Sequence, residues 1–148
     1  TNDAPSTITR LQNMGTPDYL ISAACSLILA QRLARRTCPD CKIPDEDVNE
    51  QVLKDLGCKD VEISSAKAMK GKGCENCKDT GYKGRMGIYE VLKITKPIKE
   101  AILKKATTPE IKAIAIKEGF ITMQDMGRKM IIDGQLNFRE YERILTAG

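Results

Sequence analysis

The pattern of hydrophobic and polar residues divides the chain into three parts, and within the first part it changes from helical to extended. Residues 19–33 are mostly apolar: the alanines among them favour a helix, whereas the Leu-Ile-Leu run from Leu27 equally suits a buried strand. Thr is a good N-cap and Pro suits the first helical position, so Thr16 and Pro17 predict where the helix begins. We therefore predict a helix that gives way to a strand near Leu27.

The middle part, residues 38–81, has a different composition and is rich in Cys, Lys, Asp and Gly. Turn-forming residues cluster at residues 38–40 and 70–73. Between these clusters, residues 45–56 have apolar side chains at helical spacing, and Gly57 follows where a helix would end. We predict one helix in this part, with loops on either side.

The third part begins with a strand pattern and then becomes helical. Residues 85–94 are rich in β-branched and aromatic side chains with rough alternation, which favours a strand. Helices are predicted over residues 96–105 and 122–133, from Pro109 to Lys117 with Thr108 as the N-cap, and from Asn137, where Asn137-Phe-Arg-Glu140 resembles a capping box. The whole pattern predicts an α+β fold that is mostly helical.

The composition is that of a soluble globular protein. Of the 148 residues, 41% are hydrophobic and 30% are charged, and the two signs of charge are well mixed. No apolar run approaches the length of roughly 20 residues that a transmembrane helix needs, and nothing resembles a signal peptide. The first residue is Thr1 rather than Met, and we expect the sequence to be a piece of a longer protein.

Net charge and the lack of histidine narrow the possible functions. The formal net charge is +4, and it falls to +2 if four cysteine thiolates hold a divalent zinc ion. Basic residues are spread along the chain, so neither value suggests a surface that follows phosphates, and we expect no nucleic-acid partner. Because the chain contains no histidine, histidine-based acid–base catalysis and mixed Cys/His zinc sites are excluded.

Four of the six cysteines form two pairs with metal-ligand spacing, Cys38-x-x-Cys41 and Cys74-x-x-Cys77, separated by 32 residues. A two-residue spacer lets the backbone fold into a knuckle with two sulfur atoms about 3.5–4 Å apart. Two facing knuckles form a tetrahedral cage of four thiolates, which is typical of structural zinc. We predict that Cys38, Cys41, Cys74 and Cys77 bind a structural Zn²⁺, with no coordination position left for catalysis.

Other uses of these cysteines remain open at this point. Two disulfides need an oxidising compartment, and the sequence shows no secretion signal. A redox motif of the thioredoxin type occurs alone after a strand rather than as a matched pair, and iron in a rubredoxin-like site is chemically allowed. Cys25 and Cys58 lack a partner at knuckle spacing, so we interpret both as buried small side chains rather than ligands.

Several stretches of the sequence together resemble a known family. They are Thr1-Asn-Asp-Ala4, Ile8-Thr-Arg-Leu11, Met14-Gly15, Ala30-Gln-Arg-Leu33, Arg36-Thr-Cys-Pro-Asp-Cys-Lys42, Gly73-Cys-Glu-Asn-Cys-Lys-Asp-Thr-Gly-Tyr-Lys-Gly-Arg85 and Gly87-Ile-Tyr-Glu90. With the helical tail, they closely resemble the C-terminal part of the type II secretion and type IV pilus-assembly ATPases. The pilus-retraction branch lacks the cysteine module, so the resemblance is to the extension or secretion branch.

The resemblance implies a cytoplasmic motor at the inner membrane that works as a homo-hexamer and hydrolyses ATP with Mg²⁺. Its partners would be the other subunits and an inner-membrane platform protein of a pilus or secretion machine. Residues 1–37 would then be the end of a RecA-like ATPase core, and residues 38–82 an inserted tetracysteine zinc-binding module. Residues 83–148 would supply a closing strand and a C-terminal helical bundle.

The sequence lacks the motifs that such a motor uses to bind ATP. A phosphate loop needs the pattern G-x-x-x-x-G-K-[S/T], which does not occur here, and the acidic Walker B segment is missing as well. We therefore expect this piece to be inactive alone, and we assign no catalytic or nucleotide-binding residue. Three arginines in the family-like segments are candidates for nucleotide contact in the longer protein, although surface ion pairs are the commoner role: Arg10, Arg32 and Arg85.

The alternative function is a free-standing zinc ribbon that binds protein or nucleic acid. The run Cys74-Glu-Asn-Cys77 faintly resembles the repeated zinc motifs of J-domain chaperones, but the chain has two half-motifs instead of four repeats. Nucleic-acid binding is disfavoured because acidic residues dilute the basic ones, and no aromatic residues cluster near the knuckles for base stacking.

Overall fold

The structure is a computed structural model that describes residues 3–146. Its elements, in chain order, are α1 (Ala4–Asn13), α2 (Asp18–Ala24), β1 (Leu27–Thr37), β2 (Lys42–Pro44), α3 (Glu50–Asp55), α4 (Asp60–Ser65), β3 (Met69–Gly71), β4 (Tyr82–Lys93), α5 (Lys96–Leu103), α6 (Thr108–Lys117), α7 (Met123–Ile132), α8 (Phe138–Tyr141) and a π-helical turn (Glu142–Thr146). The predicted α+β class is confirmed. Among the described residues, no helix combines the length and apolar character needed to cross a bilayer.

The chain forms two compact units, each built from two separate stretches of sequence. The first unit contains the residues up to Gln31 together with Tyr89–Met123. The second unit contains Arg32–Ile88 together with the residues from Gln124 onward. All four paired cysteines belong to the second unit.

The core of the first unit consists of aliphatic side chains from four helices and from β4. In α5, the buried residues Ile98, Ala101 and Ile102 recur at helical spacing, which gives this helix one apolar face. The other buried residues of this core come from α1, α2, α6, β4 and the residue that follows β4: Ala4, Ile8, Ile21, Leu92, Ile94, Ile111 and Ala115. The unit therefore depends on aliphatic packing, as expected of a sequence with few aromatic residues.

A buried carboxylate of the first unit accepts hydrogen bonds from two backbone N–H groups that are distant in sequence. Glu90 on β4 is only 3% exposed. Its Oε1 accepts the backbone N–H of Ala4 at 2.5 Å, and its Oε2 accepts the backbone N–H of Met123 at 2.9 Å. Since the first N–H groups of a helix have no partner within the helix, Glu90 satisfies one such donor at the start of α1 and one at the start of α7.

Helix α1 was not predicted, although the sequence at its start carries clear signals. The Oδ1 of Asp3 accepts the backbone N–H of Ser6 at 2.8 Å, as expected of an N-cap, and Pro5 lies in the first turn. The apolar residues Ala4 and Ile8 then recur at helical spacing and are fully buried.

Two predicted helix starts are wrong by one residue. Pro17 rather than Thr16 is the N-cap of α2, because the backbone of Pro17 is still extended. In α6 the cap is Thr107 rather than Thr108: the Thr107 hydroxyl accepts the N–H of Glu110 at 3.3 Å. The Glu110 carboxylate in turn accepts the Thr107 N–H at 3.0 Å, which completes a capping box.

Strands β1 and β4 form a two-stranded sheet and run antiparallel, as hydrogen bonds near their ends show. The N–H of Ile94 donates to the carbonyl of Ser26 at 3.0 Å, and the N–H of Cys38 donates to the carbonyl of Gly81 at 2.9 Å. Both strands are longer than predicted, and β1 continues to the residue before Cys38. One end of this sheet therefore leads directly into the cysteine-containing segment.

The segment between the two cysteine pairs differs from the prediction of one helix over residues 45–56. Helix α3 is shorter, with Asn49 as its N-cap, whose side chain accepts the N–H of Val52 at 3.0 Å. The N–H of Asp45 instead donates to the carbonyl of Ala68 at 3.0 Å, next to the β2–β3 pair. Helix α4 and the strands β2 and β3 were not predicted.

Candidate metal centre

The short β2–β3 ladder brings the two cysteine pairs together. The strands run antiparallel, with Lys42 opposite Gly71 at the end nearest the cysteines. Cys41 directly precedes β2, and Cys74 follows β3 by three residues. The N–H of Lys72 also donates to the carbonyl of Cys41 at 3.1 Å, which continues the pairing toward the knuckles.

The β1–β4 pair also leads into this site. The hydrogen bond from Cys38 to Gly81 links the first residue of one knuckle to the loop that follows the other knuckle. Two separate backbone pairings therefore fix the distance between the knuckles. Neither pairing depends on the sulfur atoms, so the polypeptide itself supports the arrangement of the four side chains.

The four sulfur atoms form a compact cluster, all within 4.8 Å of one another. The Sγ–Sγ distance is 3.8 Å for Cys38 and Cys74 and 3.8 Å for Cys41 and Cys77, while Cys74 and Cys77 are 3.6 Å apart. A tetrahedral zinc with Zn–S bonds of about 2.3 Å requires sulfur atoms about 3.8 Å apart. A disulfide has a length of about 2.05 Å, so these distances correspond to free cysteines around a space of ionic size.

Backbone N–H groups are directed at two of the sulfur atoms. Gly73 donates to the Sγ of Cys41 at 3.3 Å. Cys74 and Gly81 donate to the Sγ of Cys77 at 3.2 and 3.3 Å. Hydrogen bonds of this kind stabilise the ionised form of a thiol, which is the form that binds a metal.

Burial and backbone hydrogen bonds move the pKa values of two cysteines in opposite directions. Burial opposes ionisation of Cys77, but the N–H groups of Cys74 and Gly81 outweigh it and lower the pKa of Cys77 to about 6. Burial raises the pKa of Cys41 to about 12: it outweighs the hydrogen bond from the Gly73 N–H, and the contacts with the other three cysteines act in the same direction as burial. A divalent cation at the cluster would stabilise the ionised form of all four thiols, so that they could ionise together near neutral pH.

Two glycines allow the closest approach of the backbone beside the cluster. A Cβ on Gly71 would lie 2.1 Å from the carbonyl oxygen of Gly81. A Cβ on Gly81 would lie 2.8 Å from the carbonyl oxygen of Gly71, and Gly81 also has a φ of +82°, a conformation that side chains disfavour. The knuckle loop contains two further residues of positive φ, Lys78 and Asp79.

Two partly exposed arginines pair with one buried carboxylate in the same unit. Glu140 is completely buried, and its carboxylate accepts hydrogen bonds from the Arg143 side chain at 2.7 Å and from the Arg35 side chain at 3.0 Å. It also accepts the backbone N–H of Arg35 at 2.6 Å. The Arg35 guanidinium lies 4.1 Å above the ring centre of Tyr82, and the Tyr82 hydroxyl accepts a hydrogen bond from the Asn137 side chain at 2.9 Å.

Glu140 has a different role from the one that the sequence suggested. The Asn137 side chain does cap α8, because its Oδ1 accepts the N–H of Glu140 at 2.8 Å. The Glu140 carboxylate does not return to Asn137 as in a capping box; it pairs with the two arginines instead. The i,i+3 spacing to Arg143 is visible in the sequence, but the contact with Arg35 spans 105 residues and has no local signal.

Arginine contacts outweigh the effect of burial on Glu140. Burial disfavours the charged carboxylate, whereas the hydrogen bonds from Arg143 and Arg35 stabilise it and lower its pKa to about 2. Arg35 is three residues before Cys38, and Tyr82 directly follows Gly81. The network therefore ties the C-terminal residues to both strands that lead into the cysteine cluster.

The remaining candidate residues are not members of the cluster. Cys25 is partly buried against the core of the first unit, and Cys58 is buried, which raises the pKa of its thiol. Arg32 donates to the carbonyl of Ile144, and Arg10 and Arg85 are exposed on α1 and β4. Within the described residues, the cluster contains only the four paired cysteines.

Comparison with known proteins identifies the family. The model of the type II/IV secretion system protein family matches residues 1–143, so the chain belongs to that family. It is 43% identical over 140 residues to the type IV pilus assembly ATPase PilB of Myxococcus xanthus, a match that covers 95% of this chain and 25% of that protein.

Two further relatives represent the breadth of the family. The type IV pilus assembly ATPase PilB of Thermus thermophilus is 41% identical, over 95% of this chain and 16% of that protein. The type II secretion system protein E of Aeromonas hydrophila is 33% identical, over 97% of this chain and 28% of that protein. The chain thus spans between 16% and 28% of the length of these relatives.

Replacing Gly81 tests whether the backbone contact beside the cluster is required. We expect Gly81→Ala to lower the free energy of unfolding of the second unit by roughly 3 kcal/mol or more, through overlap with Gly71 added to the cost of positive φ. The matched control is Gly84→Ala, which has a φ of +77° but no atom within 4 Å of the new Cβ. We expect it to cost only about 1 kcal/mol in urea unfolding. Equal losses would contradict a steric role for Gly81.

Glu140→Gln tests the buried ion pairs. At pH 7 we expect the free energy of unfolding, measured with urea, to fall by about 2–3 kcal/mol, because the neutral amide no longer attracts the two arginines. The fall is smaller than for a fully buried pair because both arginines keep partial access to water. Glu46→Gln, at an exposed carboxylate, is the control and should change the free energy of unfolding by less than about 0.5 kcal/mol.

The effect of Glu140→Gln should also depend on pH. The folded pKa of about 2 lies below the ordinary value of 4.5, so the stabilisation by Glu140 is present above pH 4.5 and is lost as the pH falls from 4.5 toward 2. At each pH the free energy of unfolding of the variant is subtracted from that of the unmodified chain. This difference removes the effects of groups that titrate alike in both. A difference that stays constant from pH 7 down to pH 3 would contradict this assignment.

Proposed function

We propose that the chain is the C-terminal zinc-binding part of a hexameric ATPase that powers type IV pilus assembly or type II protein secretion. The observation that carries this proposal is the cluster of four sulfur atoms, at zinc-like spacing, in a chain of this family. Zn²⁺ bound by Cys38, Cys41, Cys74 and Cys77 would be structural, since four thiolates fill its tetrahedral positions. Its role is to hold the two knuckles, and the segment between them, in one fixed arrangement.

In this proposal the chain contributes structure, assembly and docking rather than catalysis. Residues 1–37 end a RecA-like core, residues 38–82 form the zinc module, and residues 83–148 supply the closing strand and the C-terminal helical bundle. ATP and Mg²⁺ bind to the parts of the longer protein that carry the phosphate loop. The parent acts in the cytoplasm as a homo-hexamer and reaches the inner membrane through a platform protein.

An exposed apolar face on the sheet supports the idea of a larger core. In the first unit, Leu27 and Leu29 on β1 are 50% and 53% exposed, and Tyr89 and Val91 on β4 are 42% and 41% exposed. A sheet of two strands is marginally stable by itself and needs a covering layer or further strands. These side chains are placed as expected if the rest of an α/β core covers them in the parent.

Metal content tests the zinc site directly. Elemental mass spectrometry of the purified, reduced chain should find one zinc per chain, and a strong chelator should remove it with local unfolding of residues 38–81. Cys74→Ser should lose the zinc, whereas the control Cys25→Ser, outside the cluster, should keep it. Iron in place of zinc, or a metal-free chain that keeps its fold, would overturn the proposed site.

The motor is tested on the longer parent protein. We expect the parent to form hexamers and to hydrolyse ATP in the presence of Mg²⁺, while this chain alone shows no hydrolysis above buffer. Light scattering and a phosphate-release assay measure the two properties. A parent that stays monomeric and binds no nucleotide would contradict the proposal, even if the zinc site were present.

A further inference from the structure

The segment between the two cysteine pairs carries a charge opposite to that of the whole chain. Residues 45–62 contain seven acidic residues and two lysines, a net charge of −5, whereas the chain as a whole has a net charge of +4. We call residues 45–62 the acidic segment. Within the described part of the chain, no salt bridge joins any of its seven carboxylates to a basic side chain. This concentration of negative charge is therefore available to a partner.

A groove of about 570 Å³ lies along this segment in the second unit. It is lined by α3, α4, the loop before α3 and the β2–β3 pair, and its apolar residues include Val48, Leu53, Ile63, Ala68 and Met69. Its volume lies within the range of about 300–1,000 Å³ that is usual for binding clefts. The groove can therefore accept apolar side chains from another molecule.

Acidic residues border the groove. Asp45 and Glu50 are among its lining residues, and Lys67 is the only basic residue in the described lining. The Oδ1 of Asp45 accepts the N–H of Asp47 at 3.1 Å, so its position is fixed by the loop. Apolar lining with a negative border fits a partner that combines apolar side chains with positive charge.

We infer that this groove is a docking site for a basic amphipathic segment of a partner protein. The apolar side chains of that segment lie in the groove against Val48 and Leu53, and its Lys or Arg side chains lie near Asp45 and Glu50. Phosphate-bearing partners are disfavoured because the acidic segment repels them. The inference rests on the proposed docking role of the cysteine module, and it adds the surface and the chemistry of the partner.

Binding of a designed peptide tests this inference on the zinc-loaded chain. The probe is a fluorescently labelled amphipathic helical peptide of Leu and Lys, with Leu at positions i, i+3, i+4 and i+7, and its control is a scrambled peptide of the same composition. We expect the amphipathic peptide to bind more tightly than the scrambled one in fluorescence anisotropy. Equal binding would reduce the interaction to non-specific charge attraction and overturn the inference.

Matched variants locate the contact. Val48→Asp should weaken binding on the order of tenfold, because it places a charge in the groove. Its control is Val61→Asp on α4, which is 80% exposed and not among the groove residues, and should change the affinity less than about twofold. Similar effects of both substitutions would overturn the assignment to this groove.

A second pair of variants tests the acidic border. Asp45→Asn combined with Glu50→Gln should weaken binding several-fold at low salt and much less at high salt, since added salt screens exposed charges. Glu46→Gln, a carboxylate outside the lining, is the control. No loss of affinity in the double variant would contradict a basic partner.

The same samples separate failure of the inference from failure of the proposed function. If the chain holds zinc and is folded but does not bind the peptide, the docking inference alone is wrong. If the chain holds no zinc, both the metal site and the inference that rests on it fail. Self-association that is abolished by Val48→Asp in light scattering would assign the groove to a second copy of the chain and overturn the basic partner.

Discussion

The geometry of the second unit depends on the meeting of two backbone ladders at four sulfur atoms. The β2–β3 ladder aligns Cys41 with the loop before Cys74, and the β1–β4 pair holds Cys38 beside Gly81. Both are short or two-stranded, and such ladders are weak in isolation. A metal ion that binds all four thiolates would join the weak ladders into one stable arrangement.

Each unit contains a buried glutamate that hydrogen-bonds to segments distant in sequence, but the donor groups differ. In the first unit Glu90 accepts two backbone N–H groups at the beginnings of helices, and its partners are peptide dipoles. In the second unit Glu140 accepts hydrogen bonds from two guanidinium groups. Each carboxylate connects segments distant in sequence, so each specifies the arrangement of its unit more strongly than a nonpolar residue of equal size would.

The sequence was sufficient for those features that depend on local spacing. The two CxxC pairs predicted which cysteines lie together, and the strand patterns near Leu27 and after Arg85 predicted β1 and β4. Strands β2 and β3 could not be predicted from the sequence, because three residues are too few to show alternation and every residue of β2 is exposed. The Arg35–Glu140 pair was also out of reach, since only the folded chain brings these residues together.

The lone-helix prediction between the cysteine pairs failed for a related reason. The N-cap is Asn49, and the N–H of Asp45, at the predicted start of the helix, donates to the carbonyl of Ala68 instead. Local helix propensity was present, but contacts with the following strand outweighed it. Short elements of this kind are decided by tertiary contacts rather than by propensity.

The β2–β3 ladder also makes the segment between the cysteine pairs a closed loop. The segment has 32 residues, and its two ends are paired at the ladder. The geometry of the cluster therefore does not depend on how many residues lie beyond the ladder. The entropy cost of closing a flexible loop rises only with the logarithm of its length, by about 0.6 kcal/mol per doubling. The length of this loop can therefore change during evolution, through insertions and deletions beyond the ladder, without disturbing the knuckles at its base.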